Sequence, residues 1–251
     1  MKTKISECPV EKNLMRQTLC LVLGGALALI SGCATGPNAN PKDPLEPMNR
    51  EVSKFNQSVD RLVLKPVAEG YKKVTPPLVR TGVSNFYNNI SDFSSLINNA
   101  LQLKGQATGE MVIRVSFNSI FGFAGLLDLA SEFGIERHKE DFGQTVGRWG
   151  VPSGPYLVLP LLGPSTVRDT LAGYVDRRND LTVYLDPIAT RSALGALSVV
   201  NARTNALSLG AMLDEVALDK YIFTRDAYLQ RRRSQILDGE DPQGGEDTPP
   251  K

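Results

Sequence analysis

The feature that most constrains this chain is Cys33, which closes the run Leu29-Ile30-Ser31-Gly32-Cys33 behind an uncharged apolar stretch from Thr18 to Ile30. That stretch has about 13 residues, which suits the core of a secretion signal and falls short of the ~20 that a membrane-crossing helix needs. An apolar residue, two small residues and a cysteine form a lipobox, where the signal is cut and the cysteine sulfur is acylated. Residues 1–32 are therefore expected to be removed. Residues 33–42 are expected to form a lipidated linker, tethering the rest to a membrane through Cys33. Glu7 and Glu11 are odd in a basic leader, and Met15-Arg16 reads as a more ordinary start.

The tether limits how the remainder can hold itself together. Cys8 and Cys20 leave with the signal, so Cys33 is the single thiol of the processed chain. Neither an internal disulfide nor a cysteine metal site is then available. The processed chain has about 219 residues with 24 basic and 25 acidic side chains, a balance that gives no reason to expect a nucleic-acid partner. Pro, Gly and Asn crowd residues 34–42. Five acidic residues and three prolines lie between 238 and 251, which reads as a disordered acidic tail. The folded domain is placed at 43–237.

Within it the periodicity is helical. Asp43-Pro44-Leu45-Glu46 reads as an N-cap with a capping box, leading into a stripe of Met48, Val52, Phe55, Val59 and Leu62. Lys65-Pro66 interrupts this helix, and a short second one ends at Pro76-Pro77. A further helix is capped by Ser91, shows the face Phe93, Leu96, Ile97, Ala100 and Leu101, and stops at Gly105. Residues 110–131 read as an apolar helix whose longest uncharged piece spans only ~20 Å. Residues 192–213 are also apolar but carry Arg203, and 194–218 and 221–236 read as the closing helices. Such segments suit either a buried core or helices embedded part-way in a membrane. Between Asp141 and Asp169, glycines and prolines predict an ordered loop or hairpin with one short strand at 156–159. The asparagines are read mainly as caps and turns, Gly143 and Gly147 as turn glycines, and Arg231-Arg232-Arg233 as a basic last turn that suits the helix dipole. Attraction of those arginines to anionic headgroups is the alternative.

Few residues suggest catalysis. His138 is the sole histidine and lies in the charged run Glu136-Arg137-His138-Lys139-Glu140-Asp141. No metal motif, Gly-x-Ser-x-Gly elbow or phosphate loop is present, so no metal or cofactor is expected. A triad of His138 with Asp141 or Asp169 and Ser153 or Ser165 is the one enzymatic arrangement the composition allows.

Several blocks resemble a known family in order. They begin with Asp43-Pro44-Leu45-Glu46-Pro47-Met48-Asn49-Arg50, Phe55-Asn56 and Leu64-Lys65-Pro66, followed by Asn85-Phe86, Asn88-Asn89 and Asn98 to Gln102. Arg114 with Asn118-Ser119 comes next. The most specific block runs Asp141-Phe142-Gly143-Gln144 through Gly147, Trp149-Gly150, Gly154-Pro155-Tyr156 and Pro160, and closes on Gly163-Pro164 and Arg168-Asp169. Tyr221, Arg225 and Tyr228 to Arg232 end the series. These blocks resemble the MlaA (VacJ-like) lipoproteins. One stretch departs from the pattern: Ile90-Ser91-Asp92-Phe93 stands where the family tends to carry Leu, an acidic residue and Pro.

The resemblance implies a mainly α fold: a ring of helices lying in one leaflet of the outer membrane, around a polar channel, with an irregular Gly/Pro-rich loop. It implies no enzyme activity, a phospholipid substrate taken from the outer leaflet, a soluble periplasmic lipid carrier as recipient, and a trimeric outer-membrane porin alongside. The block residues from Asn85 and Phe86 through Asp141–Asp169 are the candidate loop and channel positions. A lipoprotein that merely docks on porins, and a surface phospholipase using His138, are the other readings.

Overall fold

The computed structural model describes residues 43–239; Cys33, the signal, the linker and most of the acidic tail lie outside them. Ten α-helices and one β-hairpin make up this region. The order is α1 (Glu46–Val59), α2 (Lys65–Val74), α3 (Pro77–Leu101), α4 (Gly105–Ile120), α5 (Leu129–Glu132), α6 (Phe142–Arg148), β1 (Tyr156–Leu159), β2 (Gly163–Thr166), α7 (Val167–Asn179), α8 (Ile188–Asn205), α9 (Leu207–Val216) and α10 (Lys220–Ile236). The mainly helical expectation holds, and no helix here is long and apolar enough to cross a membrane.

Several boundaries differ from the sequence reading, each for a physical reason. Lys65-Pro66 does not interrupt the first helix. Residues Asp60–Leu64 form a π-helical turn in which the Lys65 N–H reaches back to the Asp60 carbonyl. The wider turn absorbs a proline that has no N–H to give, and the helix runs on into α2. Pro76-Pro77 both ends α2 and starts α3, because proline at the first helical position loses nothing. Ser91 is consequently in the middle of α3, and the helix runs unbroken through Ile90-Ser91-Asp92-Phe93. The predicted helix over 110–131 breaks at Ile120. The chain reverses through Phe123, Ala124 and Gly125, all at positive φ, before the short α5. Gly125 has no alternative there: a Cβ would lie 2.4 Å from the Asn89 Cβ.

The hairpin shows how an exposed strand edge is completed by side chains. β1 and β2 pair antiparallel with Tyr156 opposite Thr166 and Leu159 opposite Gly163. The other edge of β1 faces α1, where Asn49 and Asn56 stand two helical turns apart. The Asn49 amide donates to the Tyr156 carbonyl at 3.0 Å and accepts from the Val158 N–H at 2.9 Å. Asn56 repeats this with the Leu159 carbonyl and the Leu161 N–H, at 2.9 and 2.8 Å. The two amides stand in for a third strand and leave the edge nothing to pair with. Beneath them Tyr156, Val158 and Tyr221 form a small core, packed by Val52, Tyr228 and Leu229.

Asp43 is part of this core and does not cap α1, whose N-cap is Leu45. The buried Asp43 carboxylate accepts from Asn49 at 3.1 Å and from the Tyr221 hydroxyl, with the Arg225 guanidinium 3.4 Å away. Burial, and the Asp43 charge after it, push the Tyr156 phenol up to about 12.

Elsewhere the partition is inverted. Among the described residues only seven apolar side chains are buried against eighteen polar or charged ones. The face of α3 that packs inward is Asn89, Asp92, Ser95, Asn98 and Asn99. Leu101, on the face predicted to be core, is exposed. On α4 the buried residues are Met111, Arg114 and Asn118, while Val112, Ile113 and Ile120 point out. Leu78 is 86 % exposed and Phe123 72 %. Helical periodicity correctly located the stripes, but the burial it implies assumes water outside.

Candidate functional site

The polar interior is organised around the extended segment 137–140, which α3 holds mainly by its side chains, with the Asn88 carbonyl accepting from the Arg137 guanidinium at 3.1 Å. Asp92 accepts from the Arg137 guanidinium at 2.5 Å. Asn99 donates to the His138 carbonyl at 2.9 Å. Ser95 donates to the Glu140 carbonyl and accepts from its N–H, at 3.1 and 3.2 Å. These residues recur at three- and four-residue steps and so share one helix face. Asn89, Asn98, Asn99 and Asn118, expected as caps and turns, are buried in this interior.

Beyond Glu140 the chain enters α6, which was not foreseen within a Gly/Pro-rich loop. Asp141 is its N-cap, accepting from the Gln144 N–H at 2.8 Å. The same carboxylate is gripped by both terminal nitrogens of Arg232, each at 2.6 Å. Arg232 also reaches both oxygens of Asp169, at 3.1 Å. Tyr228 adds a hydroxyl donor to Asp169 at 2.8 Å, and Arg168 contributes a second guanidinium at 2.9 Å. Arg232 is therefore not a dipole-complementing surface residue. It bolts α10 to α6 and α7. Gly143 and Gly147 are not turn glycines either. A Cβ on Gly143 would lie 2.3 Å from the Arg232 guanidinium, and one on Gly147 would lie 2.8 Å from that of Arg168. Both are glycine so that the helix can lie against two arginines.

Electrostatics follow from this arrangement. Burial pushes the Asp141 and Asp169 carboxyls up, but the Arg232 guanidinium outweighs it and holds both below the usual carboxylate range. Asp176 and Asp92 go the other way. Burial dominates for each and raises it, although Asp176 accepts the Phe142 N–H and Asp92 faces Arg137 and Arg114. The pH consequence has a definite sign. Asp141 and Asp169 stabilise the fold fully above the unfolded value of about 4, and that contribution is lost as the pH falls through their lowered folded values. Protonation of Asp176 and Asp92, beginning above pH ~4, partly offsets the loss. Urea midpoints taken between pH 6 and 3 should fall at the acid end, and the fall should be smaller in Asp169→Asn.

Two cavities meet in this region. One, of about 370 Å³, lies between α6, α7 and α10 and is lined by Asp169, Tyr228, Arg231 and Arg232. The other, of about 560 Å³, lies between α3, α7 and α8 and is lined by Ser91, Ser94, Leu194, Gly195 and Val199. Lys139, Glu140, Asp141 and Asp176 line both.

The sequence-derived positions separate into groups. Asp141, Gly143 and Asp169 meet Arg232, while Gln144 joins through Asp141, Arg168 through Asp169, and Gly147 lies against Arg168. Phe142 donates its N–H to Asp176 at 3.1 Å. Gly154 and Pro155 lead into the hairpin: Gly154 turns at positive φ, and the Pro155 carbonyl takes the Val167 N–H at 3.1 Å. Tyr156 is in the small core, and Pro160 and Gly163 flank the hairpin turn. Asn85 lies elsewhere, donating to the Leu126 carbonyl at 3.2 Å, and Phe86 meets Tyr87 edge-to-face on α3. Trp149 is exposed and Gly150 forms the turn after α6. The sequence does not single out Asp176, and Lys139 reads there only as part of a charged run; Arg232 and Tyr228 read as part of the closing helix and the last family block, and Asp92 only as part of the stretch that departs from the family pattern. Asp238, placed at the start of the tail, pairs with Lys104 and Arg148.

The hydrolase triad is not assembled. His138 Nε2 lies 2.6 Å from a Glu110 oxygen, the Ser165 hydroxyl is shared with Thr170 at 2.9 Å, and both aspartates belong to Arg232. Glu110, Glu136 and His138 do bring three potential metal-ligand atoms within 4.8 Å of one another, a cluster the sequence motifs did not indicate.

A helical body with polar groups inside and large apolar side chains outside defines a protein built for contact with an apolar surround. Comparison with known proteins agrees: the MlaA lipoprotein family matches residues 41–235, and the chain belongs to that family. It is 32 % identical over 247 residues to the intermembrane phospholipid transport system lipoprotein MlaA of Haemophilus influenzae, covering 93 % of this chain and 96 % of the relative. The protein of that name in Escherichia coli K12 is 32 % identical over 212 residues, covering 81 % and 82 %. An uncharacterized protein of Rickettsia bellii is 34 % identical over 196 residues, covering 77 % and 76 %. A structure solved in work on the structural basis for maintenance of bacterial outer membrane lipid asymmetry superposes with a TM-score of 0.69 at 30 % identity. The match covers 77 % of this chain and 98 % of that one.

Proposed function

We propose that this protein is an outer-membrane lipoprotein, anchored through Cys33 on the periplasmic side, that removes misplaced phospholipid from the outer leaflet and passes it to a soluble periplasmic carrier beside a trimeric porin. The observation that carries this reading is the inverted partition of side chains. Leu78, Ile120, Phe121 and Phe123 are among many large apolar side chains left exposed, and extensive exposed apolar surface marks contact with a partner or a membrane. Placed in one leaflet, they bury their apolar area in acyl chains, while the polar interior offers a headgroup an alternative to ~30 Å of hydrocarbon. The names of the Haemophilus and Escherichia relatives support the same assignment.

A strain lacking the protein should accumulate phospholipid in the outer leaflet, measured by surface labelling; an unchanged level would contradict the proposal. Cys33→Ser should leave the protein in the soluble periplasmic or inner-membrane fraction and restore little asymmetry. Full restoration by that variant would assign the anchoring to the apolar helices alone.

A further inference from the structure

The two cavities differ in how their charges are spent. Every carboxylate at their junction is engaged. Asp141 is bound by Arg232, Glu140 by Lys104, and Asp176 takes the Phe142 N–H and the Ser94 hydroxyl. On the two outer walls, Asp169 is held by Arg232, and Asp180 accepts from the Thr182 N–H and hydroxyl. The cations are not engaged in this way. Among the described residues, Lys139, Arg231 and Arg177 line the cavities without a hydrogen bond or ion pair. Arg231 stands in the smaller cavity, Arg177 in the larger, and Lys139 at the wall the two share. A compact ammonium with three donors is well suited to a phosphate oxygen.

We infer that Lys139 is the docking point for the phosphodiester of a lipid headgroup passing between the two cavities, with Arg231 and Arg177 receiving it on either side. This rests on the phospholipid-transport reading above and adds the residue and the charge class that select the substrate. The larger cavity suits the rest of such a molecule, because Leu194 and Val199 face the hydroxyls of Ser91 and Ser94 across it. Lys139 is exposed at the cavity wall; the desolvation it does feel there, with Arg137 and Arg231 nearby, holds its ammonium below its ordinary value, and Asp92 and Asp141 only partly compensate. A bound phosphodiester supplies the counter-charge that its neighbours do not.

The test uses the purified, acylated full-length protein in detergent, with acyl-labelled phosphatidylglycerol and equally labelled diacylglycerol, which has the same tails and no phosphate. Lys139→Gln is expected to weaken phosphatidylglycerol binding about tenfold and leave diacylglycerol unchanged, the size of one lost charged hydrogen bond. Lys139→Arg should restore most of the binding, which a loss of folding would not allow. Binding of phosphatidylglycerol by Lys139→Gln equal to wild type, or equal losses for both lipids, would overturn the inference while leaving transport intact. A wild-type protein that binds neither lipid would overturn the transport reading, and this inference with it.

Discussion

Replacing Arg114 by methionine is expected to destabilise the protein by about 3–5 kcal/mol, the usual cost of deleting one partner from a buried charge pair. Arg114 is 2 % exposed, in the middle of α4. It donates to both oxygens of Asp128 at 3.0 and 3.1 Å and to the Ile135 carbonyl at 2.6 Å. Its Nε lies 3.8 Å from Asp92, close enough for an ion pair and too far for a hydrogen bond. Without it, Asp92 keeps Arg137 alone, the Ile135 carbonyl loses its donor, and the turn that returns the chain to segment 137–140 loses its fastening. Against a total stability of about 5–15 kcal/mol, this is a large fraction. Chemical unfolding in detergent measures it. The double variant Arg114→Met/Asp128→Asn should recover part of the loss, because the carboxylate left without its guanidinium is gone; strictly additive losses would show that Asp128 and Arg114 are not coupled.

The second large effect is expected at Arg232. Arg232→Met should cost about 3 kcal/mol, at the lower end of the same range because Asp141 is 40 % exposed and water can take over part of its solvation. The damage should be local. Asp141 and Asp169 would be left facing one another without the guanidinium that bridges them, and the last two turns of α10 would lose their attachment to α6 and α7. Amide exchange should accelerate from Gln230 to Ile236 far more than in β1 or α1. Arg232→Lys should rescue little, since one ammonium cannot make paired bonds to two carboxylates. Unchanged exchange in those turns would show that α10 is held by the Tyr156–Tyr221–Val158 core alone.

Legibility from sequence tracked the range of the interaction. The α1 stripe and the hairpin strand at 156–159 were readable, because they depend on neighbours a few residues away. The π-helical turn before Pro66 and the reversal at Phe123–Gly125 were not. Each depends on where the chain is forced to go next. Asp43 shows the limit most plainly: its spacing to Glu46 is that of a capping box, yet Tyr221 and Arg225, about 180 residues away in sequence, claim its carboxylate. Gly143 and Gly147 read as turn glycines until α10 places Arg232 against the first and α7 places Arg168 against the second.

The sequence by itself determined the signal and lipobox expectation at Cys33, the helical class, the stripes on each helix and the family, since all of these are written in local spacing and residue type. Which side of each stripe faces inward was decided only by the tertiary structure. Periodicity gives the phase of a helix, but burial depends on what surrounds it. Here Asn89, Asp92, Ser95 and Asn99 find partners on segment 137–140 and turn in, leaving the apolar side chains outside. The junction of the two cavities at Lys139 is likewise a product of packing, because it joins residues of α3, α6, α7 and α10 that no local pattern connects.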